Sequence, residues 1–257
     1  MEQERLARLG KRKRSASPER ASKMAIKSSE PERAADGGKQ EESSEQSPIQ
    51  YPRGTIKRTW AFKHPRANDI KIEEVLQAST NSISVLSAFQ WDDRWVFSKL
   101  DPKKTKQIWI MSAKGEGLQN KLLQEATEAK IPNLKPHFPP MDGQIQHMHS
   151  KLMLLFHPTH LRIAVPTANM LSVDWGETNK DPKTGESWQP AVMENSVFLV
   201  DLPRRSDDSV GSKQDLTLFG NELIHFLEAQ KVRHNLIAGV LKHDFSETRH
   251  IAFVHSM

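Results

Sequence analysis

Between residues 147 and 169 the chain reads His147-Met148-His149-Ser150-Lys151-Leu152-Met153-Leu154-Leu155-Phe156, then His157-Pro158-Thr159-His160, then Leu161-Arg162-Ile163-Ala164-Val165 and on to Asn169. No other stretch restricts the fold as much. Residues 153–156 are an apolar run of strand length. The proline-bearing tetrapeptide fits a tight turn, and residues 161–165 fit a second short strand returning beside the first. A strand points alternate residues to one face, so His149 and Lys151 project together. The return strand carries Asn169 back to the same end of the sheet. The expectation is an imidazole, an ammonium and an amide converging on one patch.

Such a trio suits phosphodiester chemistry. A neutral imidazole can attack phosphorus, while an ammonium and an amide bind the oxygens on which negative charge accumulates. That chemistry calls for neither a metal nor a cofactor. His147 and His149 also form an H-x-H pair, but a catalytic zinc needs a third ligand, and the other nine histidines show no matching cluster. Taken alone, His149 and Lys151 read as two surface residues flanking a core strand. Asn169 and the flanking sequence weigh against that reading.

His149-x-Lys151, with Asn169 eighteen residues beyond the lysine and Asp174-Trp175 after it, resembles the first HKD motif of the tyrosyl-DNA phosphodiesterase family, a branch of the phospholipase D superfamily. That branch lacks the aspartate of the wider motif, and no Asp lies between residues 152 and 173. Ser87-Ala88-Phe89-Gln90-Trp91, Val197-Phe198-Leu199-Val200-Asp201-Leu202-Pro203 and Lys242-His243-Asp244-Phe245-Ser246-Glu247-Thr248 are also similar to the family's amino-terminal half. The resemblance runs from about Trp60 to the C-terminus. It implies an α/β fold of the phospholipase D type: a mixed sheet flanked by helices, one of the two usual domains, preceded by a disordered tail. It implies His149 as the nucleophile that forms a phospho-histidine, with Lys151 and Asn169 holding the phosphate. Family members carry a glutamine or glutamate a little after the Asp-Trp pair; Gly176-Glu177-Thr178-Asn179-Lys180 stands there, and that role is left unassigned.

Enzymes of this superfamily use two such motifs, one histidine attacking phosphorus and the other protonating the leaving group. Only His149 sits in an H-x-K context here. The resemblance therefore implies a tail over residues 1–50 and an amino-terminal catalytic domain over 51–257, with the second domain absent. Three explanations fit: a truncated gene product, a single-motif subunit that restores the pair by homodimerising, or a non-catalytic remnant. An isolated half would expose the apolar face that normally meets the second domain.

Residues 1–50 hold no aromatic residue and are dense in Ser, Glu, Lys and Arg, with Gly37-Gly38 and three prolines. Such a segment buries too little apolar surface to offset its ordering entropy, so disorder is expected. Lys11-Arg12-Lys13-Arg14, followed by Ser15-Ala16-Ser17-Pro18, reads either as a nuclear-import address beside phosphorylation sites or as a solvated basic run. The formal charge is +5, but residues 51–257 hold 26 Lys+Arg against 23 Asp+Glu, an excess of only three. Charge permits a nucleic-acid partner without demanding one. The absence of cysteine excludes disulfides, thiolate metal sites and cysteine nucleophiles and suits a reducing intracellular compartment. No apolar run of spanning length occurs, so no membrane segment is expected.

From Tyr51 the composition turns aromatic and aliphatic, in alternating strand-like and helix-like blocks, which is the α/β pattern. Helices are predicted over residues 70–77, 91–100, 118–130, 216–230 and 232–241, and strands over 82–89, 107–111, 191–202 and 250–254. A proline-rich loop is expected over 132–140, and polar loops over 177–189 and 204–212. Trp91, Trp95 and Trp109 are expected in the core. Trp188, in a polar loop, reads equally as a loop anchor or a base-stacking residue.

The resemblance implies a nuclear DNA-repair phosphodiesterase acting on single-stranded or 3′ DNA ends that carry a covalent tyrosine. Two alternatives stand beside it: another phosphodiesterase of the superfamily, and an inactive module that binds nucleic acid with salt-dependent affinity.

Overall fold

A computed structural model describes residues 49–141, 143, 145, 147–178 and 192–255. The tail with its Lys11–Arg14 cluster lies outside the described residues, except for Ile49 and Gln50, as do Trp188 and most of the expected 177–189 loop.

The hairpin expected from the sequence is the middle of the sheet. β6 (Leu152–Phe156) and β7 (His160–Pro166) pair antiparallel, with Met153 opposite Ala164 and Phe156 opposite Leu161. All five residues of β6 are buried, because helices cover both faces of the sheet. Around this pair stand β1 (Thr55–Thr59), β2 (Asp69–Ile70), β3 (Ile83–Ser87), β4 (Lys106–Ile110), β5 (Leu134–His137) and β8 (Ser196–Pro203), in the order β2-β1-β8-β7-β6-β3-β4-β5. Pairing is parallel between β3 and β4, β4 and β5, and β1 and β2, and antiparallel elsewhere, so the sheet is mixed as expected.

The period of two divides the core in two. Leu152, Leu154 and Phe156 face one side, where α4 (Leu218–Ala229) and α5 (His234–Val240) lay down Phe219, Leu223, Leu227 and Val240. Met153 and Leu155 face the other, against α1 (Ile72–Leu76) and α2 (Asp93–Lys99). Each fully buried aliphatic side chain there contributes roughly 1.5–3 kcal/mol. Asp92 caps α2 by accepting from the Trp95 N–H at 3.1 Å, and Thr217 caps α4 through the Gly220 N–H at 3.2 Å. Trp91 and Phe97 both stack on Trp109, at 4.6 and 5.1 Å; Trp95 and Trp109 are buried and Trp91 packs partly buried against the same cluster, so the predicted core tryptophans belong to the core. No helix among the described residues is long and apolar enough to cross a membrane.

Two sequence expectations need correction. Residues 134–137, expected in a loop, form β5; Pro136 is tolerated because β5 is the edge strand, where a missing N–H costs no ladder bond. Residues 250–254, expected as a strand, pair with no strand among the described residues. Their alternation is genuine, but it serves to press Ile251 and Phe253 onto the core under α4. β1 and β2 had no counterpart in the sequence reading. At the expected boundary near Tyr51, the Gln50 and Tyr51 N–H groups both donate to Asp201, at 2.9 and 3.0 Å. α3 (Glu116–Glu128) is the expected helix, yet it buries no residue and lies on the outside near β5.

Candidate active site

Residues 147–151 run into β6 without joining the ladder, and their orientation comes from alternate anchoring. The Met148 N–H donates to Ser112 Oγ at 3.1 Å, and Met148 packs against the core. Ser87 Oγ donates to the Ser150 carbonyl at 3.1 Å, and Gln230 Nε2 reaches Ser150 Oγ at 3.4 Å. With Met148 and Ser150 turned inward, His147, His149 and Lys151 turn outward together. The predicted projection is therefore present, produced by serine anchors instead of strand pairing.

Lys151 Nζ lies 3.1 Å from His149 Nδ1 and 3.3 Å from Nε2, and donates to the His149 carbonyl at 3.3 Å. The Phe89 ring flanks both His149 and His147, at 5.0 and 5.7 Å between centroids. Partial desolvation, then the charge of Lys151, hold the His149 imidazole below its ordinary pKa. Both effects favour the neutral imidazole, the form that can act as a nucleophile. Desolvation also lowers the Lys151 ammonium, and Asp174 acts against that lowering. No group of three His, Asp or Glu side chains among the described residues could hold a metal ion, His147 and His149 included.

Asn169 follows β7 and reaches the same end of the sheet. It touches neither His149 nor Lys151 in the described hydrogen bonds; its side chain is held by Asp174 and Gln90. The Asn169 N–H and Nδ2 both donate to Asp174 Oδ2, at 2.7 and 3.1 Å, while Asn169 Oδ1 accepts from the Gln90 N–H at 3.3 Å. Asp174 belongs to a 3-10 turn over Ser172–Trp175, fixed by Trp175 Nε1 donating to the Asn169 carbonyl at 2.9 Å and by Asn195 Nδ2 donating to the Asp174 carbonyl at 2.9 Å. Gly176 ends the turn at φ +76°. A Cβ there would sit 1.5 Å from the Trp60 carbonyl oxygen, so only glycine fits.

Asp174 stands just beyond the motif, and the sequence alone assigns it no task. The signal was available: a carboxylate five residues after an asparagine, followed by a tryptophan, suits a buried local turn. Glu177, whose role was unassigned, is occupied elsewhere. It accepts from Trp95 Nε1 at 2.9 Å and pairs with Lys99 at 2.7 Å, tying the turn to α2.

Beside His147, His149 and Lys151 opens a cavity of about 1090 Å³ with apolar walls that include Pro140, Phe226 and Phe253. The mixed sheet sandwiched by helices is a phospholipase D-like fold, and it brings a histidine and a lysine into contact at the mouth of a cleft. The family profile described as tyrosyl-DNA phosphodiesterase matches residues 55–257, and the chain belongs to that family. It is 26% identical over 164 residues to tyrosyl-DNA phosphodiesterase 1 of Arabidopsis thaliana, a match covering 63% of this chain and 23% of that protein. A crystal structure of a yeast tyrosyl-DNA phosphodiesterase mutant superposes with a TM-score of 0.56 at 15% identity, over 79% of this chain and 45% of the yeast chain. The unmutated yeast enzyme gives 0.53 at 14%, over 76% and 43%. At those identities the superposition establishes the fold. The chain thus spans less than half the length of these relatives.

Proposed function

We propose that this chain is the nucleophile-bearing half of a DNA-repair phosphodiesterase that releases tyrosine from 3′ DNA ends. The observation carrying the proposal is the contact between Lys151 and His149 at the open end of the sheet, with Asn169 held at that same end, in a member of this family. One His149 ring nitrogen attacks phosphorus, the bond from phosphorus to the tyrosine oxygen breaks, and the phenolate takes up a proton. Water then attacks the phospho-histidine, releasing a 3′ phosphate and restoring the imidazole. Lys151 and the free N–H of the Asn169 amide hold the phosphoryl oxygens as charge accumulates.

The proton for the phenolate comes from a second histidine, supplied by a second domain or by another copy of this chain in a homodimer. DNA is the partner in this reading, residues 51–257 form the amino-terminal catalytic domain, and the Lys11–Arg14 cluster directs the protein to the nucleus.

The test is a single-turnover assay on a 3′-phosphotyrosyl oligonucleotide, comparing the chain with its His149→Ala variant. Release of tyrosine by the wild type and none by the variant supports the reading. Equal behaviour of the two, with DNA still bound, overturns it in favour of a binding module.

A further inference from the structure

We infer that Asp174 is a positioning residue of this site: its carboxylate turns the Asn169 amide so that nitrogen, not oxygen, is the end left to face a phosphate. The inference rests on the reading of Asn169 as a phosphate-holding group and adds to it the group that prepares it.

An asparagine amide can present either end, and a phosphate needs the donor end. Asp174 Oδ2 accepts from the Asn169 backbone N–H at 2.7 Å and from Nδ2 at 3.1 Å. A carboxylate cannot donate, so the reversed amide would set oxygen against oxygen. The Gln90 N–H, 3.3 Å from Oδ1, excludes the reversed amide from the other side. One N–H of Nδ2 remains for a ligand. Asp174 is itself 4% exposed. Its turn is held from four directions: by Trp175 Nε1, by Asn195 Nδ2, by the Met193 N–H on the Val173 carbonyl at 3.0 Å, and by Phe62 N–H on the Gly176 carbonyl at 2.8 Å. Such over-determination is what preorganises an electrostatic site.

The test uses the chain as it stands and needs no turnover. The Asn169 side-chain amide is followed by nitrogen-15 NMR, assigned by its disappearance in Asn169→Ala. In Asp174→Ala the Asn169 amide signal is expected to shift and its protons to exchange faster with solvent. In Asp174→Glu the acceptor survives but its reach changes, so the signal is expected to move less. An unmoved Asn169 amide in folded Asp174→Ala overturns the inference. Should Asp174→Ala fail to fold, an Asn169 amide unmoved in Asp174→Glu overturns it. A chain without phosphodiesterase activity leaves this readout intact, and an active chain whose Asn169 amide stays unmoved loses only this inference.

Discussion

Arg162 on β7 and Asp201 on β8 sit directly opposite each other in the sheet and close a two-pronged ion pair, Nε to Oδ1 at 2.7 Å and Nη2 to Oδ2 at 2.9 Å, with both side chains inaccessible to solvent. Their remaining capacity is also used. Arg162 Nη1 donates to the Glu74 carbonyl at 2.8 Å and Nη2 to Gln50 Oε1 at 3.0 Å, while Asp201 takes the Gln50 and Tyr51 N–H groups. The pair therefore joins the first residues of the fold, α1 and the central strands.

Removing one partner strands the other in a dry core. Asp201→Ala is expected to cost about 3–5 kcal/mol, the usual cost of leaving one buried charge uncompensated, and urea unfolding monitored by tryptophan fluorescence measures it. Replacing both residues by apolar ones of similar volume is expected to recover part of that loss. A cost under ~1 kcal/mol for Asp201→Ala would show that the pair contributes nothing beyond packing.

A second buried cluster predicts sensitivity to acid. His157 stacks on His160 at 4.5 Å, His243 lies near both Phe156 and the Arg204 backbone, and the Nε2 atoms of all three histidines are buried. Burial, then the charge of His160, pushes His157 down to about 4. Burial likewise pushes His243 down to about 4, against its bonds to the Val240 and Gly239 carbonyls. Both take up protons more readily when unfolded, so their neutral burial is fully tolerated above pH 6.5 and costs stability as pH falls from 6.5 to about 4. Each contributes a loss on the order of 3 kcal/mol across that window. Denaturation midpoints measured from pH 7.5 to 4.5 check this, with His157→Asn expected to flatten the slope and a wild-type slope near zero contradicting it.

The site predicts an opposite pairing of charge and rate. Because His149 titrates below the ordinary imidazole range, single-turnover rates should hold level from pH 8 to below 6.5 and fall only at lower pH. Lys151→Ala should lower the rate by about 10²–10³-fold, the usual loss of one charge-stabilising donor. It should also move the acid limb upward, since the cation that depresses His149 is gone. An acid limb unchanged by Lys151→Ala would separate the two groups electrostatically.

Gly176 offers a mechanical check on the same turn. Gly176→Ala places a methyl group against the Trp60 carbonyl and forces a left-handed conformation on an L-residue. The left-handed backbone alone costs about 1–2 kcal/mol. Thermal unfolding should fall accordingly, and Asn169, held through Asp174, should lose its amide position with it. Unchanged melting would mean that the turn moves freely past Trp60.

Much of this architecture was legible because its signals are local. The apolar runs of β6 and β7 and the spacing of His149 and Lys151 all lie within a few residues of what they specify. What stayed illegible depends on distant partners. β1 carries no continuous apolar run, and its burial pattern alternates because only one side meets the core. β5 contains a proline that argues for a loop until its edge position is known. Residues 250–254 show a strand's period, yet which surface they pair with is decided by α4.

The most direct measurement is intact-mass and peptide mass spectrometry of the protein quenched during reaction with a 3′-phosphotyrosyl oligonucleotide. The account predicts an acid-labile DNA adduct on His149 in the wild type and no adduct in His149→Ala. An adduct on another residue, or one that survives in His149→Ala, would contradict it.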